Sequence, residues 1–401
     1  MPMLLKTWVA TFLLGLSTIG LLFGVVHDNS SSYLLSSFHG AKTHAPTLKQ
    51  TARSIAYSTD YCVIYDFWRS HPRFNKTISL VLHATDEYLS YLEEHAKLWD
   101  GAVSVAIFIP PTNHSGHPVK GIQNEFARVV SLIKNLKHAK KSEKFSIHLF
   151  FEKRNLTKCP ELKLKFNETK GQNLPFIYPI NTARNIARLG MKSKLFLSGD
   201  VEQLFSKNYE PRMRALASKL LLKQKQKLVL VHRRFELDTG IKVPETKAEL
   251  KKLYDENKAV EFHRHFYYRG HKIAKINEWF QLPENLTTTT IFSILNYTNA
   301  EWEPQFVGSS EIVPLHDEKF PFRLRSNTHL ATELCRSGFR FAVVTDLFTV
   351  HRGIKRKETS KELKSKQAAK GNGYLKHVKE FRARLDEKYP ETKSICPKFL
   401  P

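Results

Sequence analysis

Cysteine is scarce in this sequence: four in 401 residues, with no Cys-x-x-Cys pair. That excludes a dense disulfide scaffold, a structural zinc finger and a thioredoxin-like redox motif. Acidic residues are outnumbered, 38 Asp and Glu against 63 Lys and Arg, so the net charge is +25 and acidic partners are expected. Kinase and P-loop signatures are missing, and no internal repeat is visible. With 41% apolar residues and only 25% charged ones, the chain is not disordered and can build a large core.

The longest stretch without charge is TWVATFLLGLSTIGLLFGVV, Thr7 to Val26. It matches the length a helix needs to cross the hydrocarbon layer. Lys6 and the amino terminus precede it, so the positive-inside rule predicts a cytosolic tail over 1–6, a signal anchor over 7–26 and a type II, lumenal body. Asn-x-Ser/Thr sequons at Asn29, Asn75, Asn113, Asn155, Asn167, Asn285 and Asn296 all follow the apolar run, as lumenal glycosylation requires. In such a compartment an even number of cysteines predicts two disulfides among Cys62, Cys159, Cys335 and Cys396, with three pairings open. Lumenal placement removes nucleic acid as the partner of the positive charge and leaves nucleotide phosphates, acidic glycans and anionic membranes.

Residues 27–60, rich in Ser, Thr, Gly and Lys, read as a stem, and 61–395 as one domain. ISLVLHA, AVSVAIFIP and FSIHLFFEK read as buried strands alternating with helices at DEYLSYLEEHAKLW and near Asn124 to Lys141. The alternation predicts an α/β domain, a doubly wound sheet flanked by helices. A further helix opens at Pro179, with Asn181 as its cap and Arg184 and Arg188 together on one face. Those arginines suit a donor phosphate or a uronic acid carboxylate, the plain alternative being a solvated helix face.

LFLSG ends at Asp200-Val201-Glu202, and ligands of open α/β sheets bind beyond strand carboxyl ends. Read as extended chain, the tripeptide puts both carboxylates on one side, a seat for Mn²⁺ or Mg²⁺ with a nucleotide diphosphate. His351 closes the apolar strand FRFAVVTDLFTV and adds a nitrogen ligand suited to Mn²⁺. A sugar transfer that inverts the anomeric centre needs a base, for which Asp317, Glu318 and Glu303 beside Trp302 are candidates. The basic stretch after His351 reads as solvated helix broken near Gly371 and Gly373; bordering an acceptor cleft, it would favour acidic glycans.

Taken in order, LWDGAVSVAIFIP, YPINTARNIAR, Asp200 to Glu202, Phe235 and Glu236, Trp302 to Pro304, Pro314 to Phe320 and GFRFAVVTDLFTVHRG resemble glycosyltransferase family 49. That family holds the β-1,4-glucuronyltransferases and xylosyl/glucuronyltransferases that extend the O-mannosyl glycan of α-dystroglycan. The resemblance spans Cys62 to Tyr389 and implies a GT-A fold in the Golgi, an inverting mechanism, a UDP-sugar donor and Mn²⁺. It further implies that Asp200 and Glu202 bind metal and diphosphate, that His351 is a third metal ligand, and, by analogy, that Asp317 or Glu318 is the base. Two departures stand out. The second acid is Glu202 where the family has Asp, and PFRLRSN at Pro321 to Asn327 lacks the family's aromatic-Gly-Asn pattern. They keep open a second reading, a non-catalytic lumenal glycan-binding or partner protein with the same fold.

Overall fold

The computed structural model describes residues 51–401, apart from 114–117, 155, 165–171 and 372. The tail 1–6, the apolar run 7–26, Asn29 and the stem up to residue 50 lie outside the described residues, as do Asn155 and Asn167. Among the described residues no helix is long and apolar enough to cross a membrane. Asn75, Asn285 and Asn296 are exposed.

Alternating residues of the buried strands drive a three-layer arrangement. In Ile78–Ala84, Leu80 and Leu82 enter one core while Val81 enters another, and Val103 and Val105 part from Ala106 and Phe108 in the same way. The first core packs under the helices Ser90–Leu98, Pro118–Lys134 and Tyr209–Ala217 through Leu92, Phe126, Val129 and Met213. The second packs under Ile180–Gly190 and Thr328–Arg336 through Ile186, Ala187 and Leu334. Side chains of period two on both faces are what a sheet covered by helices on both sides requires.

The central sheet has 12 strands. Leu195–Ser198, Ile78–Ala84, Val103–Phe108 and Phe145–Glu152 run parallel and adjacent in that order. The chain therefore builds outward from Ile78–Ala84 in one direction, then returns through Ile180–Gly190 to add Leu195–Ser198 on the other side. Between those two strands lies a topological switch point. Beyond Leu195–Ser198 the sheet departs from the all-parallel pattern: Phe306–Ser309 and Leu228–Leu237 each join antiparallel to their predecessor, and Arg340–Arg352 then runs parallel to Leu228–Leu237.

The domain is larger than 61–395. Thr51–Arg53 pairs with Glu161–Lys163, and Ile55–Ala56 pairs with Tyr61–Trp68, so the end of the expected stem is edge strand. Strands this short carry no readable period. At the other terminus Phe399 is buried and Cys396 bonds Cys335, the second disulfide being Cys62–Cys159. The basic tail is not simply solvated: the helix Tyr374–Lys388 buries Tyr374, Val378, Phe381 and Leu385 against Phe320 and Leu324. The expected break holds, Gly373 standing before that helix at φ +70°. The basic helix near Asn124 to Lys141 is two helices, Pro118–Lys134 and Lys137–Ser142.

Candidate active site

At the switch point, Ser198 ends its strand and Asp200 starts a turn, closed by the N–H of Gln203 on the carbonyl of Asp200 at 3.0 Å. The tripeptide is thus a turn and not extended chain. Val201 is buried instead, its carbonyl meeting His95 Nε2 at 2.8 Å. Asp200 turns toward two buried arginines: Arg234 donates to its Oδ2 at 2.9 Å, and Arg184 Nη2 stands 3.8 Å from Oδ1. Burial works against its charge, but Arg234 and Arg184 outweigh it and hold the carboxyl below its ordinary range. Gln305 Nε2 adds a donor at 3.3 Å.

Asp200, Arg184 and Glu303 line one recess of about 440 Å³, mouth included, together with Gln305, His316 and Asn327. Glu303 is fixed from two directions, its N–H on the carbonyl of Gly270 at 2.7 Å and its Oε2 accepting from Asn327 at 3.1 Å. Burial raises the pKa of this glutamate against the opposing effect of Asn327, Arg234 and Arg184. Trp302, its neighbour, is a core residue packed on Tyr297 and Phe341 and offers no sugar platform.

Glu202 faces His351, Oε1 to Nε2, at 3.6 Å, both side chains partly open to solvent. Burial works to lower the histidine, but Glu202, with the Gly353 carbonyl and Glu236, outweighs it and holds the ring above its ordinary range. Among the described residues no three His, Cys, Asp or Glu are grouped to hold a metal ion. The trio Asp200, Glu202 and His351 therefore does not form a self-contained cage. What remains, the Glu202 carboxylate facing the His351 imidazole, fits an ion that arrives with a diphosphate and keeps several waters.

Asp317 and Glu318 do not line the recess. Asp317 pairs with Arg384 at 2.9 Å and accepts the N–H of Lys319 at 3.1 Å. Glu318 accepts from Tyr57, from Asn185 at 2.7 Å and from Thr182 at 2.8 Å, which leaves it a structural clamp. The arginines of the Ile180 helix separate as well. Both are buried, which removes the solvated-face reading, but Arg188 donates to the carbonyls of Pro314 and Val313 and lies over the Phe196 ring. Asn181 does not cap the helix: it donates to the carbonyls of Phe320 and Asp317.

Sequence reasoning missed Arg234, Gln305, Asn327 and His316. A signal existed for the first. Three consecutive basic residues, His232 to Arg234, interrupt an otherwise apolar strand, and cations buried in a strand need an anionic partner.

The family described as "Glycosyl-transferase for dystroglycan" matches residues 77–390. The β-1,4-glucuronyltransferase 1 of Danio rerio is 25% identical over 342 residues, covering 80% of this chain and 75% of that protein. The xylosyl- and glucuronyltransferase LARGE2 of Mus musculus is 26% identical over 179 residues, 44% of this chain and 24% of that protein. The crystal structure of GalNAc-T7 with UDP, GalNAc and Mn²⁺ overlaps at a TM-score of 0.41 and 12% identity, over 81% of this chain and 52% of that one, too loosely to bear on the fold.

Proposed function

The chain belongs to the family of glycosyl-transferases for dystroglycan, and from that membership we propose a GT-A-like, inverting transferase that moves glucuronic acid from UDP to a glycan hydroxyl. One observation carries the reading: Asp200, Arg184 and Glu303 share a recess at the switch point of the sheet. Glu303 is the base in place of Asp317 or Glu318. Held by Asn327 and raised by burial, it takes the proton of the acceptor hydroxyl as that oxygen bonds to the anomeric carbon and the bond to the diphosphate breaks. Arg234 and Arg184 keep Asp200 ionised and aimed at the donor. Glu202 and His351 would hold the divalent ion, Mn²⁺ or Mg²⁺, which when bound supplies positive charge to the departing UDP. Two disulfides, three exposed sequons and the apolar run 7–26 support a Golgi lumenal body behind a type II anchor.

The test is UDP release by the purified full chain over a panel of UDP-sugars with Mn²⁺ or EDTA. Release from one donor, abolished by EDTA and by Asp200→Asn, is expected. Glu303→Gln should lower kcat about 10²- to 10⁴-fold. The wild-type rate should fall as pH drops through the raised pKa of Glu303, because protonation removes the base. Silence with every donor, from folded protein that still binds glycans, would favour the non-catalytic reading.

A further inference from the structure

The segment from Ser310 to Phe320 has no regular structure beyond turns, so its buried main chain needs partners from elsewhere. Ile180–Gly190 provides them in a row. Arg188 takes the carbonyls of Val313 and Pro314, and Asn181 takes those of Asp317 and Phe320. Asn185, between them, holds the main chain of His316 from both sides, Nδ2 donating to its carbonyl at 2.8 Å and Oδ1 accepting its N–H at 2.9 Å, while the second Nδ2 hydrogen goes to Glu318 at 2.7 Å. The clamp therefore fixes His316 with particular care, and the imidazole it fixes lines the recess.

His316 is 7% exposed, and among the described residues neither ring nitrogen has a hydrogen-bond partner. Leaving two polar atoms unpaired at a buried position costs stability, and an apolar ring of similar size would avoid the cost. Burial, then the charges of Arg184, His329 and Arg188, hold the ring far below its ordinary pKa, so it is neutral, with one N–H donor and one lone pair.

We propose that His316 reads the hydroxyls of the transferred sugar, donating to one and accepting from its neighbour. This rests on the nucleotide-sugar reading above. A hydroxyl both gives and takes a hydrogen bond, which matches a neutral imidazole; a diphosphate only accepts and would be better met by cations. The recess already holds Glu303 and Asp200, so the sugar rather than the base or ribose is the part of the donor that belongs beside them. A site built to pair a hydroxyl discriminates strongly against ligands that lack it.

Calorimetric titration of the full chain with UDP alone and with the UDP-sugar it uses separates the possibilities. For His316→Phe, UDP affinity should stay within about twofold of wild type while UDP-sugar affinity falls about tenfold or more, the loss of one good polar contact. His316→Gln, which keeps a donor and an acceptor, should recover part of the loss. Equal UDP-sugar affinity in wild type and His316→Phe, or an equal drop for UDP and UDP-sugar, would overturn the proposal. Should the phenylalanine variant not fold, His316→Ala, which only opens the recess, takes its place under the same criteria. A wild-type chain that binds neither UDP nor any UDP-sugar overturns the nucleotide-sugar reading itself, and this proposal with it.

Discussion

His148, fully buried in the parallel part of the sheet, has one defined tautomer. The N–H of Asp66 donates to Nδ1 at 3.0 Å, so the proton sits on Nε2, 3.1 Å from the Ser104 hydroxyl, which in turn donates to the carbonyl of Ala187. Gly190 packs flat on this ring: a Cβ there would stand 2.2 Å from Nε2. Burial lowers the imidazole from 6.5 to about 4, with Asp66 opposing and Lys192 assisting. Above pH 6.5 folded and unfolded chains both hold it neutral. As pH falls from 6.5 toward 4 the unfolded chain binds a proton that the folded chain refuses, so stability is lost across that window, on the order of 3 kcal/mol for this residue. Denaturant midpoints measured from pH 7 to pH 4 should therefore fall more steeply in wild type than in His148→Gln; parallel curves would sink the assignment. None of this was legible in FSIHLFFE, because the groups that fix the ring come from three other segments. The position of Asp200 at a strand end was legible, whereas which of the three candidate carboxylates shares its recess depended on which loop the fold brings home.

At the scale of elements, the helix Ile180–Gly190 behaves as a rack for the irregular segment it faces. Asn181, Arg184, Asn185 and Arg188 recur at helical spacing and present amide and guanidinium donors to main-chain carbonyls. From sequence, Asn181 read as a cap and Arg184 and Arg188 as a charged face, because a polar helical stripe looks alike whether water or buried backbone lies opposite. Arg188→Met keeps an unbranched apolar stem but removes the guanidinium from the Phe196 ring and strands the carbonyls of Val313 and Pro314. Destabilisation of about 2–3 kcal/mol is expected, with faster amide exchange confined to 310–320. A variant as stable as wild type, with unchanged exchange, would show that the clamp does no such service. The strands around the helix were nearly all readable: Ile78–Ala84, Phe145–Glu152 and Leu228–Leu237 coincide with apolar runs. Two-residue strands such as Ile55–Ala56 were not, since they exist only as partners of something longer.

For the whole molecule, the disulfides tie its periphery to its core. Cys335–Cys396 joins the Thr328 helix to the carboxyl terminus across 61 residues, and Cys62–Cys159 joins the strand Tyr61–Trp68 to a loop across 97. Replacing Cys335 and Cys396 together by Ser should cost about 2–5 kcal/mol and make the Tyr374–Lys388 helix the first site of limited proteolysis. Cleavage elsewhere first would argue that the bridge is not what secures that helix. The sequence limited the pairing to three choices but could not decide, because pairing depends on which chain ends meet. The order of the sheet has a consequence for biosynthesis. Leu195–Ser198 is an apolar edge until Phe306–Ser309 covers it, and Phe306–Ser309 is made much later in the chain. Glu303 is made only just before that strand, and Asn327 after it. A nascent chain must therefore carry an open, sticky strand, and its recess is incomplete until Glu303, Gln305 and Asn327 have been delivered. Chains truncated before Phe306 would then be a burden for chaperones rather than weak enzymes.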